Sequence, residues 1–169
     1  LNEPMLQALT VELGAKSYPI HFSANKGADI RLAIQGFAAA GRPSVLLTDR
    51  GVAAAQQEFL TNAFADIPRI VVGMGEASKS LEVFGQVLEF LAQHRITRQG
   101  LLWVVGGGVT GDLGGFAAAS YLRGIEYLQV PTTLLAMVDS AVGGKTGLNL
   151  AAGKNLVGAF HHPQAIYVG

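Results

Sequence analysis

The chain has no cysteine in its 169 residues. That absence excludes disulfides, thiolate metal ligands and a cysteine nucleophile. Charge is scarce too. Only 14% of residues are charged, and 12 Lys and Arg balance 12 Asp and Glu. No basic field is left to hold nucleic acid, and no acidic tail is present. No apolar run reaches the roughly 18 to 20 residues of a membrane span. The opening LNEPMLQALTVEL lacks a charged segment followed by an apolar core, so no secretory signal is visible and a cytoplasmic setting is expected. What is plentiful is apolar side chain, at 50% of residues, enough for one domain with a sizeable core. Small molecules remain as the expected partners. The chain opens on Leu and leaves off at AIYVG, straight out of an apparent strand. Both ends read as cut, and a longer parent protein is expected.

The pattern along the chain is regular. LTVELG and YPIHFS alternate around Gly14 and read as an antiparallel hairpin. DIRLAIQGFAAAG reads as a helix capped by Asp29 and closed by Gly41. Apolar strands SVLLTD, RIVVG, GLLWVVG and IEYLQV then alternate with helical segments. GVAAAQQEFLTNAF sets Val52, Ala55, Phe59 and Ala63 on one helical face. The next helix does the same with Leu81, Phe84, Leu88 and Leu91. GDLGGFAAASYL and TTLLAMVDSAV read as further helices. Continuous apolar strands between amphipathic helices predict an α/β fold: a Rossmann-like, mostly parallel sheet covered on both faces. Residues 1–169 read as one domain.

Glycine is unevenly spread: 12 of the 22 fall between Gly106 and Gly158. Gly106, Gly108 and Gly111 satisfy G-x-G-x-x-G after a strand and before a helix. Such a turn brings bare N–H groups and a helix N-terminus to a pyrophosphate. A tight strand–helix crossing would also account for it. The turn comes late, whereas in an ordinary dinucleotide fold it follows the first strand. The acid ending an earlier strand is Asp49, which can hold ribose hydroxyls or cap a helix. Glu76 and Lys79 in GEASKS stand at another strand end, where a ligand or a helix start would suit them.

Other charges are out of place. Asp139 lies among Ala136, Met137, Val138, Ala141 and Val142. Burying it alone is costly, so it has a partner or faces solvent. Lys145 follows six residues later, and such a pair suits proton handling in a cleft. Lys154 and Asn155 stand among small residues that would not shield them from a ligand. Arg123 ends a helix, where the helix dipole alone favours a cation. His161 and His162, read as neighbours on a strand, would point to opposite faces and not chelate together.

GGGVTGDLGGFAAASYLRG, QVPTTLLAMVDSAVGGKTGLN and GKNLVGAFHHP closely resemble the 3-dehydroquinate synthase family, with GEASKS in register. The likeness runs from about Ser44 to the end. The intact Gly143-Gly144-Lys145-Thr146 favours this family over aminocyclitol synthases, and iron-dependent polyol dehydrogenases lack the run. The resemblance implies the NAD-binding N-terminal domain of a homodimeric, zinc-dependent enzyme. Its substrate is 3-deoxy-D-arabino-heptulosonate 7-phosphate. A transient oxidation by NAD acidifies a neighbouring C–H, phosphate leaves, the hydride returns, and an aldol step closes the carbocycle. By motif, Asp49, Glu76, Lys79, Gly107, Gly108, Val109, Asp112, Thr132, Thr133 and Lys154 would line NAD. Asp139 and Lys145 would sit between nicotinamide and substrate. Asn155 would touch the substrate, and Arg123 would reach its phosphate across the dimer interface. Zinc would be held by one Glu and two His of a helical C-terminal domain that this chain lacks, so the chain alone is expected to be inactive. The alternatives are a non-catalytic NAD or ADP-ribose module, or another sugar-phosphate cyclase or polyol dehydrogenase relative. One departure is Gly51, where many members carry Asn. Another is the His161-His162 pair, where the family has no metal ligands.

Overall fold

The computed structural model describes residues 7–169. Nine strands and five α-helices are formed among them. They are β1 (Gln7–Val11), β2 (Tyr18–Phe22), α1 (Lys26–Ala39), β3 (Ser44–Asp49), α2 (Arg50–Ala55), α3 (Gln57–Phe64), β4 (Arg69–Val72), α4 (Leu81–Gln93), β5 (Leu101–Gly106), α5 (Gly108–Ser120), β6 (Glu126–Pro131), β7 (Lys145–Leu150), β8 (Gly153–Phe160) and β9 (Ala165–Val168). Seven strands make one sheet in the order β1-β2-β9-β6-β5-β3-β4, antiparallel only between β1 and β2. The chain thus enters through the expected hairpin and continues into the expected parallel sheet. Counted from β3, the five doubly wound strands lie in the order 2-1-3-4-5, a common open α/β arrangement.

The central strands β3, β5 and β6 are buried on both faces, which is why they are apolar without alternation. Leu102 and Val104 of β5 point into one core with Val87, Phe90 and Leu91 of α4 and Leu113 and Ala117 of α5. Leu101, Trp103 and Val105 point into the other, with Ile30 of α1 and Leu60, Ala63 and Phe64 of α3. The buried Trp103 indole N–H donates to Ser44 Oγ at 3.0 Å, so no donor is lost inside.

Several local expectations are corrected. The cap of α1 lies four residues earlier than expected, at Asn25, whose side chain accepts from Ala28 N at 3.2 Å. Asp29 lies inside the first turn and takes the Ser23 hydroxyl instead. The helix after β3 is broken at Gln56, with φ −124° and ψ 37°. The break resets the buried face to Val52, Leu60, Ala63 and Phe64, so Ala55 is exposed and Phe59 only half-buried. On α4, Leu81 is exposed and Val87 is fully buried in its place. TTLLAMVDSAV is not a long helix but a short one ending in a π-turn over Ala136–Ser140. The unforeseen element is the antiparallel hairpin β7–β8, turned at Ala151-Ala152.

Helix α5 is held closer to its neighbours than side chains allow. A Cβ on Gly114 would stand 2.6 Å from Val104 Cγ2 and 2.9 Å from Leu47 Cδ2. One on Gly115 would overlap Thr146 Cγ2 on β7. These two glycines are therefore packing glycines. Helix propensity favours valine over glycine by only a few tenths of a kcal/mol, while overpacking costs about 1–3 kcal/mol. Gly114→Val is expected to lower the unfolding free energy by about 2 kcal/mol in chemical denaturation. An unchanged midpoint and slope would contradict this packing.

Candidate active site

The chain runs from β3 outward to β4, then returns to β5 on the other side of β3. Helices α1, α2 and α3 cover one face and α4 and α5 the other, so the loops after β3 and β5 part from each other. A crevice opens at such a switch point, outside the carboxyl ends of the strands. Here it is a groove of about 450 Å³, lined by Asp49, Gly51, Met74, Gly107, Gly108, Val109, Thr132 and Thr133 among others.

The amino end of α5 faces this groove. Gly107 is its N-cap, in extended conformation, and no side chain caps the helix. The first-turn N–H groups have no intrahelical acceptors and carry the positive end of the helix dipole. The turn is tight for side chains at Gly106 and Gly107. A Cβ on Gly106 would stand 2.7 Å from Thr110 Cβ, and one on Gly107 would stand 3.3 Å from Thr133 Cγ2. This is a cradle for an anion. Asp49 at the end of β3 does cap α2: its Oδ1 accepts from Val52 N at 3.0 Å. Its Oδ2 accepts from Thr110 Oγ1 at 3.0 Å. A carboxylate has about four lone-pair sites, so each oxygen keeps acceptor capacity for a hydroxyl.

A second cleft of about 820 Å³ is lined by Asp112, Asp139, Gly143, Lys145, Thr146, Asn155 and Phe160 among others. Behind it lies a polar network. Lys79 is 3% exposed. Its ammonium donates to Asp112 Oδ2 at 2.8 Å and to Asn155 Oδ1 at 2.6 Å. Asn149 ties the ends together: its Nδ2 donates to Glu76 Oε2 at 2.7 Å, and its Oδ1 accepts from Asn155 N at 2.9 Å. Burial raises the Asp112 carboxyl above its ordinary value, and the Lys79 ammonium opposes that shift. Burial likewise holds the Tyr127 phenol neutral, donating to His161 O at 2.8 Å.

The structure brings most of the sequence-predicted residues into these two places. Asp49, Gly107, Gly108, Val109, Thr132 and Thr133 share the groove. Asp112, Asp139, Lys145 and Asn155 share the cleft. Glu76 and Lys79 join through the network. Lys154 is exposed, next to Asn155 on β8. Asp139 is exposed on the π-turn, the solvent-facing option of the two. Arg123 stands apart from all of them. It lies on a short 3₁₀ turn, Tyr121–Arg123, leading to the opposite, amino end of β6, with φ 64°. His161 and His162 follow β8 rather than lying on it. His161 stacks on Tyr127 with ring centroids 5.4 Å apart, and the His162 ring packs under Gly144. Both are packing groups. Among the described residues no group of three or more His, Asp or Glu could hold a metal ion, and no helix is long and apolar enough to cross a membrane. Sequence reasoning missed Thr110, Met74 and Asn149. Only Asn149 had a signal, as the polar residue in TGLN.

A doubly wound α/β domain with a glycine cradle at its switch point is a nucleotide-binding architecture. Residues 69–169 match the model of the 3-dehydroquinate synthase N-terminal domain. A 3-dehydroquinate synthase from Opitutus terrae is 52% identical over 165 residues, which are 98% of this chain and 46% of that protein. The chain therefore belongs to the 3-dehydroquinate synthase family, and it spans about half the length of the curated relatives it matches. Among solved structures, 2-deoxy-scyllo-inosose synthase complexed with carbaglucose-6-phosphate, NAD+ and Co2+ is 25% identical, with a TM-score of 0.82 over 96% of this chain and 45% of its own. A 2-epi-5-epi-valiolone synthase from Streptomyces hygroscopicus with NAD+ and Zn2+ bound is 26% identical, with a TM-score of 0.77 over 94% of this chain and 44% of its own.

The raised Asp112 carboxyl carries a pH dependence. The folded chain holds this proton more tightly than the unfolded chain, so the contribution is complete below the ordinary value of 3.8 and is lost as pH rises through the folded value. Asp112→Asn is expected to remove that decline, seen as a flatter plot of unfolding free energy against pH just above 3.8. An unchanged slope would contradict the assignment.

Proposed function

We propose that this chain is the NAD-binding half of a 3-dehydroquinate synthase, a carbon–oxygen lyase that converts 3-deoxy-D-arabino-heptulosonate 7-phosphate to 3-dehydroquinate and phosphate. The observation that carries the reading is the uncapped N-terminus of α5, beside the carboxylate of Asp49 on the adjacent strand end. The free amides of the turn suit a pyrophosphate, and Asp49 suits the adenosine ribose. Thr132 and Thr133 also line the groove, and the family motif assigns Lys154 and Glu76 to the same cofactor. NAD, when bound, supplies a hydride acceptor that is regenerated within the turnover.

The residues of the cleft supply the rest. Lys145 and Asn155 offer donors to substrate oxygens, and Asp139 offers an acceptor to a hydroxyl whose proton must leave. Asp139 and Lys145 both line the cleft, so a hydroxyl held between them meets an acceptor and a cation. Arg123, on the turn at the amino end of β6, is not among the residues lining this cleft. Its forked guanidinium suits a phosphate at a neighbouring site, Arg123 of the partner subunit completing this one in a homodimer. Among the described residues no group fits a divalent metal, so no step is assigned to it. Zinc, the helical C-terminal domain and a cytoplasmic setting belong to the proposal for the whole protein.

The test is phosphate release from the heptulosonate phosphate by the complete protein with NAD and zinc. Turnover is expected there, and none from residues 1–169 alone. NAD binding without turnover by the complete protein would favour a non-catalytic module. Asp49→Ala in the complete protein is expected to weaken NAD binding roughly tenfold to a hundredfold in calorimetry, since hydrogen bonds to a charge contribute about 1.5–3 kcal/mol. An unchanged affinity would remove Asp49 from the ribose.

A further inference from the structure

The network behind the cleft fixes a choice that the chemistry of an asparagine side chain leaves open. The carboxamide of Asn155 can present either an acceptor or two donors to a ligand. Its partner decides which. Lys79 has only donors, so the amide atom 2.6 Å from its ammonium must be the oxygen. The –NH2 group is then the part of the amide left for the cleft.

The rest of the network holds that choice in place. Lys79 is buried and its ammonium is anchored a second time by Asp112 at 2.8 Å. The backbone of Asn155 sits at φ 55°, a conformation that asparagine tolerates and most residues do not. That turn is fixed by Asn155 N donating to Asn149 Oδ1 at 2.9 Å, while Asn149 N donates to Lys79 O at 2.8 Å. Asn155 is thus set from both ends by residues that do not line the cleft.

We infer that Lys79 is a positioning residue that locks the Asn155 carboxamide with its –NH2 toward the cleft, so that this wall, with Lys145, selects an acceptor group of the substrate such as a phosphate, carboxylate or carbonyl oxygen. The inference rests on the proposed function for the identity of the substrate. It departs from that reading on Lys79, which acts mainly through Asn155 rather than on the cofactor. A buried ammonium with two of its three donors committed has one left for any other group.

Two measurements test it. In residues 1–169 labelled with ¹⁵N, Lys79→Met is expected to shift the Asn155 side-chain amide pair, while Asn155→Asp keeps the fold because a carboxylate still accepts from Lys79. Unmoved Asn155 amide signals in Lys79→Met would overturn the clamp whether or not the complete protein is a 3-dehydroquinate synthase. In the complete protein, Lys79→Met and Asn155→Asp are both expected to raise KM for the heptulosonate phosphate roughly tenfold to a hundredfold, the scale set by misplacing a binding group by about 1 Å. The NAD dissociation constant is expected to change much less, and Lys79→Arg to recover part of the loss. A loss of NAD affinity equal to the rise in KM would make Lys79 a cofactor ligand and overturn the proposal. Asn155→Asp with unchanged KM would show that the cleft does not use the donor. Absence of turnover in the parent protein would fail the function reading alone and leave the amide shifts to decide the clamp.

Discussion

The close packing of α5 is the constraint on which the rest depends. Gly114 lets the helix press on Val104 and Leu47, and Gly115 lets it press on Thr146 of β7. A helix held that near the sheet starts immediately after β5, with room for only Gly107 between them. Its first amides therefore point into the switch-point crevice rather than over the sheet edge. The same contact holds the β7–β8 hairpin, which carries Lys145 and Asn155, against the domain. Groove and cleft are thus both placed by one helix.

The late position of the glycine turn has a plain cause in this topology. The turn follows β5, the strand added after the chain doubles back past β3. The strand that ends in the ribose-suited acid comes earlier, because it lies on the other side of the switch point. In the ordinary dinucleotide order the phosphate turn comes first and the acid about 20 residues later. Here the sequence order is reversed, while the spatial relation of cradle and acid across adjacent strand ends is kept.

What could be read from sequence follows from how local each cause is. The fully apolar SVLLTD and GLLWVVG announce two-sided burial, and they are central parallel strands. The helix after β3 was readable as a helix, but its break at Gln56 was not, because no Gly or Pro marks it. Asp29 and Asn25 are both good caps, and only the conformation of the preceding loop chooses between them. The hairpin β7–β8 is glycine-rich and lacks strand alternation, since Gly147 and Gly158 face each other across it. The clamp of Lys79 on Asn155 joins residues 76 apart, and no pattern within either segment carries it. Asp139 looked out of place among apolar neighbours in sequence, and the structure leaves it exposed at the cleft.

The most direct measurement is a crystal structure of the complete protein with NAD. The account predicts pyrophosphate oxygens within hydrogen-bonding distance of the Gly108 and Val109 amides and a ribose on Asp49, with the nicotinamide toward Asp139 and Lys145. A dinucleotide bound with its pyrophosphate away from the α5 N-terminus would contradict it.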